Sequence, residues 1–141
     1  MSDDKERWQQ QSREVKNYEI QENGIGLPVY DKKKMNHNPI NNTFNLIGKS
    51  FTIMILHIMM NSKDARFNQM LESVEGIGPK TLSKRLKEME KNGLIERVIL
   101  DKRPVRIVYN LTEKGNATKP ILEQMAIFSI KYCAKDIFKD I

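Results

Sequence analysis

Residues 76–94, GIGPKTLSKRLKEMEKNGL, leave little choice of local structure. Pro79 suits the first turn of a helix, where its missing N–H costs nothing. Gly93 suits the position just past a helix, where the backbone needs φ > 0. Between them Leu82, Leu86 and Met89 recur at i, i+4 and i+7, so the segment carries one apolar stripe. At about 100° per residue, Lys80, Lys84, Lys87 and Lys91 fall within a sector of roughly 60° on the opposite side. The spacing predicts a helix that buries one face and projects a straight ridge of ammonium groups from the other.

The following segment, LIERVILDKRPVRIVYNL, changes period. Val105, Ile107, Tyr109 and Leu111 alternate with Arg106, Val108 and Asn110, the pattern of a strand. The β-branched ERVIL reads as its partner, and DKRP as a short connection that carries Lys102 and Arg103. This is a β-hairpin with a basic tip. Thr112 then caps a final helix, with an irregularity at Pro120, that runs to near the C-terminus. Its apolar residues go most of the way round, so it needs a partner surface.

Upstream, NNTFNLIGKSFTIMILHIMMNSK reads as two helices split at Gly48, with Ile53, Leu56 and Met60 as the buried stripe of the second. Arg66-Phe67 is a candidate short strand, and Asn68 a candidate N-cap for a brief helix over QMLESVE. Residues 1–36 are polar. Trp8, Val15 and Tyr18 share a helical face there, and the DKKKMNHNP run that follows is irregular. The expected organisation is an extension over 1–36, a DNA-binding domain over 37–116 and a dimerisation helix over 117–141. The fold class is mainly α with a small β-hairpin wing, an α+β winged helix-turn-helix.

Composition bears on the partner. The 141 residues carry a net charge of +6. From residue 76 to 114 there are ten basic and five acidic residues, so most of the excess sits on the helix and hairpin. The segment 1–36 holds seven of each sign. A single cysteine, Cys133, excludes an intrachain disulfide framework and points to a reducing interior. The apolar run Phe51–Met60 is too short to span a bilayer. A cytoplasmic, nucleoid-associated protein is expected, with no membrane partner.

A short helix, a glycine turn, a cation-faced helix and a basic-tipped hairpin occur in the order of a winged helix-turn-helix. The major groove of B-DNA, about 12 Å wide, admits one α-helix. A lysine ridge alone is also what a solvated face looks like; the combination with the hairpin and the self-associating helix favours double-stranded DNA. The expected function is a homodimeric DNA-binding transcriptional regulator, with residues 79–92 in the major groove and the hairpin 96–111 on the backbone or minor groove. Two alternatives remain open: an architectural chromatin protein of low sequence specificity, and a winged-helix interaction module of the transcription machinery. No paired carboxylates, nucleophile–base set, phosphate loop or metal cluster stands out, so no enzymatic activity, cofactor or metal is expected.

From about Asn38 to Phe128 the sequence resembles the HxlR family of archaeal and bacterial winged-helix transcriptional regulators, relatives of the MarR group. LIGKSFTIMIL, RFNQML, GIGPKTLSKRLKEMEKNGLIER and PVRIVYNLTEKG carry the resemblance. It implies a homodimer joined through N- and C-terminal helices, the Lys80 helix in the major groove, and no enzymatic activity. Three positions depart from the family pattern. Asn38 stands before Pro39 where members often carry a cysteine that senses oxidants or electrophiles, so thiol sensing there is impossible. Gly78 replaces a serine before the proline of the recognition helix. Ser50-Phe51 replaces a Lys-Trp pair, with a positive charge instead at Lys49.

Lys80, Thr81, Ser83, Lys84 and Lys87 are the candidates for the groove face, with Lys91 at its far end touching backbone or water. Lys102, Arg103 and Arg106 are the wing candidates, Arg106 alternatively pairing with Glu96 across the hairpin. Phe44, Ile47, Leu122, Met125, Phe128, Tyr132 and Cys133 are the candidates for the dimer contact. His57 reads as a core or interface histidine and His37 as a loop residue without metal partners. Any small-molecule effector, the operator and the regulated genes are unknown from sequence.

Overall fold

The computed structural model describes residues 36–139. The chain separates into two units, Met1–Thr43 and Phe44–Ile141. The expected helix around Trp8, Val15 and Tyr18 lies outside the described residues. The elements run α1 (Pro39–Ile47), α2 (Thr52–Met60), α3 (Phe67–Ser73), α4 (Pro79–Lys91), β1 (Ile95–Lys102), β2 (Val105–Leu111), α5 (Glu113–Asn116), α6 (Lys119–Tyr132) and α7 (Ala134–Ile137). This is a mainly helical winged helix-turn-helix: α3 and α4 form the helix-turn-helix and the antiparallel β1–β2 hairpin is the wing.

The split near Gly48 is observed, but the buried stripe of α2 is rotated from the expected one. Thr52, Ile55, Leu56 and Met59 are buried, while Ile53 and Met60 are only partly so. TIMILHIMM is apolar almost all round, so its sequence alone does not select a face; the neighbours do. His57, read as a core or interface histidine, lies on the exposed side.

The α3 region also differs. The isolated strand pairing is at Ala65, one residue earlier than expected: its N–H donates to the Tyr109 carbonyl at 3.0 Å and its carbonyl accepts from Tyr109 at 2.7 Å. Asp64 and Asn110 add two further bonds, each 2.9 Å. The chain leaves this clamp extended at Arg66 and turns helical at once. The N-cap is therefore Arg66, and Asn68 sits inside the helix.

Helix α4 starts at Pro79 as expected and ends at Lys91, one residue short of the expected 79–92, with Asn92 as its C-cap. Gly93 has φ 75°, its N–H donates to Glu90, and the Leu94 N–H donates to Met89 at 2.9 Å. That is a Schellman termination, and it delivers Leu94 and Ile95 straight into the core, 0% and 2% exposed. In the wing, Ile99 faces Ile107 and Lys102 faces Val105, with a register shift between Ile99 and Asp101. Arg106 consequently stands opposite Asp101. The alternative pairing with Glu96 is excluded, because Glu96 faces Asn110 near the other end of the hairpin.

The expected single C-terminal helix is three. Thr112 does cap α5, accepting from the Gly115 N–H at 3.1 Å. The helix then breaks at Ala117–Thr118 rather than at Pro120, which sits in the first turn of α6. The Thr118 hydroxyl donates to the Gly115 carbonyl and holds the break. Cys133 separates α6 from α7.

Gly115 is buried because α5 lies directly on the β1 entrance. A Cβ there would stand 2.0 Å from the Leu94 carbonyl oxygen. Gly115→Ala is expected to destabilise the fold by about 2–3 kcal/mol, read from the urea midpoint. Gly78 is the opposite case. It is an extended N-cap (φ −96°, ψ 164°) without a side-chain cap, and a Cβ there meets nothing within 4 Å. Gly78→Ser is expected to stabilise by about 0.5–1 kcal/mol, through the added cap and a stiffer unfolded chain, and to raise the melting temperature.

Candidate nucleic-acid interface

The site is built outward from the underside of α4. Leu82, Leu86 and Met89 are 0%, 2% and 2% exposed, against a core that includes Ile55, Leu56 and Met70. Complete burial of such side chains is worth about 1.5–3 kcal/mol each. That anchoring leaves Lys80, Lys84, Lys87 and Lys91 exposed along the opposite side, with Thr81 and Ser83 half-buried on its flanks. Lys91 is the last residue of the helix.

The open N-terminus of α4 adds unbonded backbone N–H groups beside Lys80, a favourable place for an anionic oxygen. Its other end is closed. The Lys114 Nζ donates to the Asn92 carbonyl at 2.8 Å, placing a cation against the negative end of the helix. Partial burial lowers the pKa of this ammonium from the ordinary lysine value, because desolvation disfavours the charged form. The resulting penalty on folding is in force at neutral pH and is relieved only as the solution turns alkaline.

The wing carries the remaining candidates. Lys102 is the last residue of β1, Arg103 is exposed in the connection, and Arg106 is exposed on β2. They cluster at the hairpin tip, apart in sequence from the α4 ridge.

One basic residue of α4 does not join the ridge. The Arg85 side chain is 15% exposed; its Nε donates to the Ser50 carbonyl at 2.9 Å and its Nη1 lies 3.3 Å from Glu88 Oε2. Lys49 reaches the same carboxylate oxygen at 3.5 Å. The cation that stands one place before Ser50 is thus committed to α4, and Phe51 packs against the core beside it. Sequence reasoning counted Arg85 only as charge. The Arg85–Glu88 spacing of three on one helix was the available signal.

The dimer candidates divide. Phe44, Met125, Phe128 and Tyr132 are 64%, 48%, 60% and 67% exposed, and Cys133 is half-buried. Ile47, expected at the contact, is instead 4% exposed in the core of its own chain, and Leu122 is partly buried against that core. Both were drawn inward because the apolar patterns of α1 and α6 do not say which face meets the body. No residue of α6 is buried. Among the described residues no group of three or more His, Cys, Asp or Glu could hold a metal ion, and no single helix is long and apolar enough to cross a membrane.

Known proteins share this arrangement. The HTH-type transcriptional regulator YodB of Bacillus subtilis is 37% identical over 90 residues, 64% of this chain and 80% of YodB. An uncharacterised HTH-type transcriptional regulator of Methanothermobacter thermautotrophicus is 32% identical over 88 residues, 62% of this chain and 66% of its own. The solved structure of reduced YodB superposes with a TM-score of 0.62 at 34% identity, covering 70% of this chain and 96% of that one. A MarR-family regulator from Enterococcus faecalis gives 0.64 at 25% identity, covering 77% and 94%. The family model for the HxlR-like helix-turn-helix matches residues 46–137. With its helix-turn-helix, wing and core all inside that match, the chain belongs to the HxlR-like helix-turn-helix family, whose members are transcriptional regulators and not enzymes.

Proposed function

We propose that this regulator acts as a homodimer on double-stranded DNA, with α4 in the major groove and the wing on the backbone or minor groove. The observation that carries the reading is the division of α4 into a buried stripe and an exposed lysine ridge. A helix held on one side and cationic on the other is what a groove lined by phosphates requires. Lys80, Lys84 and Lys87, with Thr81 and Ser83, form the groove face, and Lys91 touches backbone. Lys102, Arg103 and Arg106 supply the wing contacts.

The dimer reading rests on α6. Phe128 and Tyr132 pack at 5.4 Å between centroids with their rings tilted by 45°, both largely exposed, and Phe128 joins Pro120, Ile121 and Met125 in lining an open groove. A second copy of the same helix covers such a face, and Phe44, 64% exposed on α1, is a further contact in this reading. Two recognition helices related by a two-fold axis then meet half-sites about one helical turn apart on a roughly palindromic operator. The ridge holds lysine but no arginine or asparagine, so phosphate neutralisation supplies much of the affinity.

Solved structures of YodB include a quinone-bound form. Thiol chemistry at the start of the domain does not carry over to this chain, because residue 38 is asparagine and Cys133 is the single cysteine.

Lys80→Ala with Lys84→Ala is expected to weaken DNA binding at least tenfold and to lower the salt slope by about two, in a titration series over salt concentration. Wild-type affinity in the double variant would overturn the groove assignment. Phe128→Glu is expected to convert the dimer to monomer in sedimentation equilibrium, since it buries a charge in the contact; an unchanged dimer would overturn the α6 interface.

A further inference from the structure

We propose that Arg85 is a positioning residue: with Glu88 and Lys49 it forms a charged latch that sets how the recognition helix is rolled about its axis. The proposal rests on the DNA reading of α4 and concerns the flank between the lysine ridge and the buried stripe, where Arg85 and Glu88 lie half-buried.

Three observations converge on the turn between α1 and α2. The Arg85 Nε donates to the Ser50 carbonyl at 2.9 Å, a bond across 35 residues that joins α4 to that turn. Glu88 Oε2 is shared by Arg85 Nη1 at 3.3 Å and Lys49 Nζ at 3.5 Å. The next residue, Phe51, holds φ 70°, a left-handed conformation that a bulky side chain adopts only when its surroundings enforce it. Phe51 also packs against the core. The turn is therefore a fixed backbone point, and Arg85 ties the helix to it.

The exposures separate this role from two simpler ones. An arginine that reads phosphate needs its fork in solvent, but the Arg85 side chain is 15% exposed and two of its nitrogens are engaged. A purely stabilising ion pair needs only proximity: solvent screens Lys49, 54% exposed, while the Arg85 fork, 15% exposed, also commits its Nε to a backbone carbonyl, which attraction to Glu88 does not require. What remains is geometry. A planar fork that bonds a carbonyl and a carboxylate together defines an orientation, not merely an attraction. The buried stripe of Leu82, Leu86 and Met89 fixes α4 against the core, and the latch adds a directional tie on the flank of the helix that sets its roll about the axis. It also links the ridge to the end of α1, where Phe44 is exposed for the proposed subunit contact.

The sign of one substitution distinguishes the idea. Removing a negative charge from a DNA-facing helix ordinarily strengthens DNA binding. Glu88→Gln, which keeps the shape, should do the reverse. The probe is a duplex that the wild-type protein enriches from a random-sequence pool, with poly(dI-dC) as the non-specific comparison. Affinity for the enriched duplex should fall about fivefold, with the salt slope unchanged and poly(dI-dC) binding not reduced. Arg85→Met should fall by a similar factor, and the double variant by no more than either alone. Melting curves should show all variants folded at the assay temperature; if Arg85→Met is not, Glu88→Gln and Lys49→Ala carry the test. Unchanged or tighter specific binding by Glu88→Gln overturns the latch. So does a salt slope lower by about one in Arg85→Met, which would make Arg85 a phosphate contact. Binding of the random pool without enrichment of any duplex would also overturn the latch, whereas failure of the wild-type protein to bind either the pool or poly(dI-dC) would instead overturn the DNA reading itself.

Discussion

The lysine ridge and the wing depend on the contact beneath α4. Leu82, Leu86 and Met89 lie in a core built from α2, α3 and the start of β1, and each is at most 2% exposed. Without that anchoring the lysine ridge would be four flexible side chains on a mobile helix. With it, the ridge becomes a rigid row whose spacing follows from the helical repeat. The Schellman turn at Gly93 extends the same constraint to the wing, since Leu94 enters the core one residue later and β1 begins at the next.

The wing in turn is fastened at its base rather than its tip. Ala65 pairs with Tyr109, Asp64 with Asn110, and α5 presses Gly115 onto the Leu94 carbonyl. The buried members of the hairpin, Ile95 and Val108, sit toward this base, whereas Arg103 and Arg106 stand exposed toward the tip. An anchored base and a free basic tip suit a device that must adapt to a backbone while its origin stays fixed. α6 follows the opposite logic. It shares little with the core of its own chain and offers aromatic and aliphatic side chains outward, the exposed face on which the proposed dimer rests.

The charges divide by role in a manner that composition conceals. The excess of five basic residues between 76 and 114 looks like one electrostatic surface. In the structure Arg85 is turned inward onto Ser50 and Glu88, Lys114 caps the end of α4, and the four ridge lysines remain outside. Cations that shape the recognition helix and cations available to a ligand have the same charge but different solvent exposure.

The sequence by itself determined the elements whose signals are local. Pro79, Gly93 and the 3.6-residue period delimit α4; the period of two delimits β2; the turn residues place the hairpin. These follow from backbone sterics and from one-face burial, which leave their mark within a few residues. Tertiary structure decided what local signals leave degenerate. α2 is apolar nearly all round, the apolar residues of α6 mark no single face, and the one apolar face of α1 does not say which of Phe44 and Ile47 is covered, so only neighbours select Ile55 over Ile53, or turn Ile47 and Leu122 inward. The start of α3 was set by a strand pairing with Tyr109, more than forty residues away. The burial of Gly115 was set by its close approach to the Leu94 carbonyl. In each case the deciding energy came from a contact distant in sequence, and no window along the chain contains both partners.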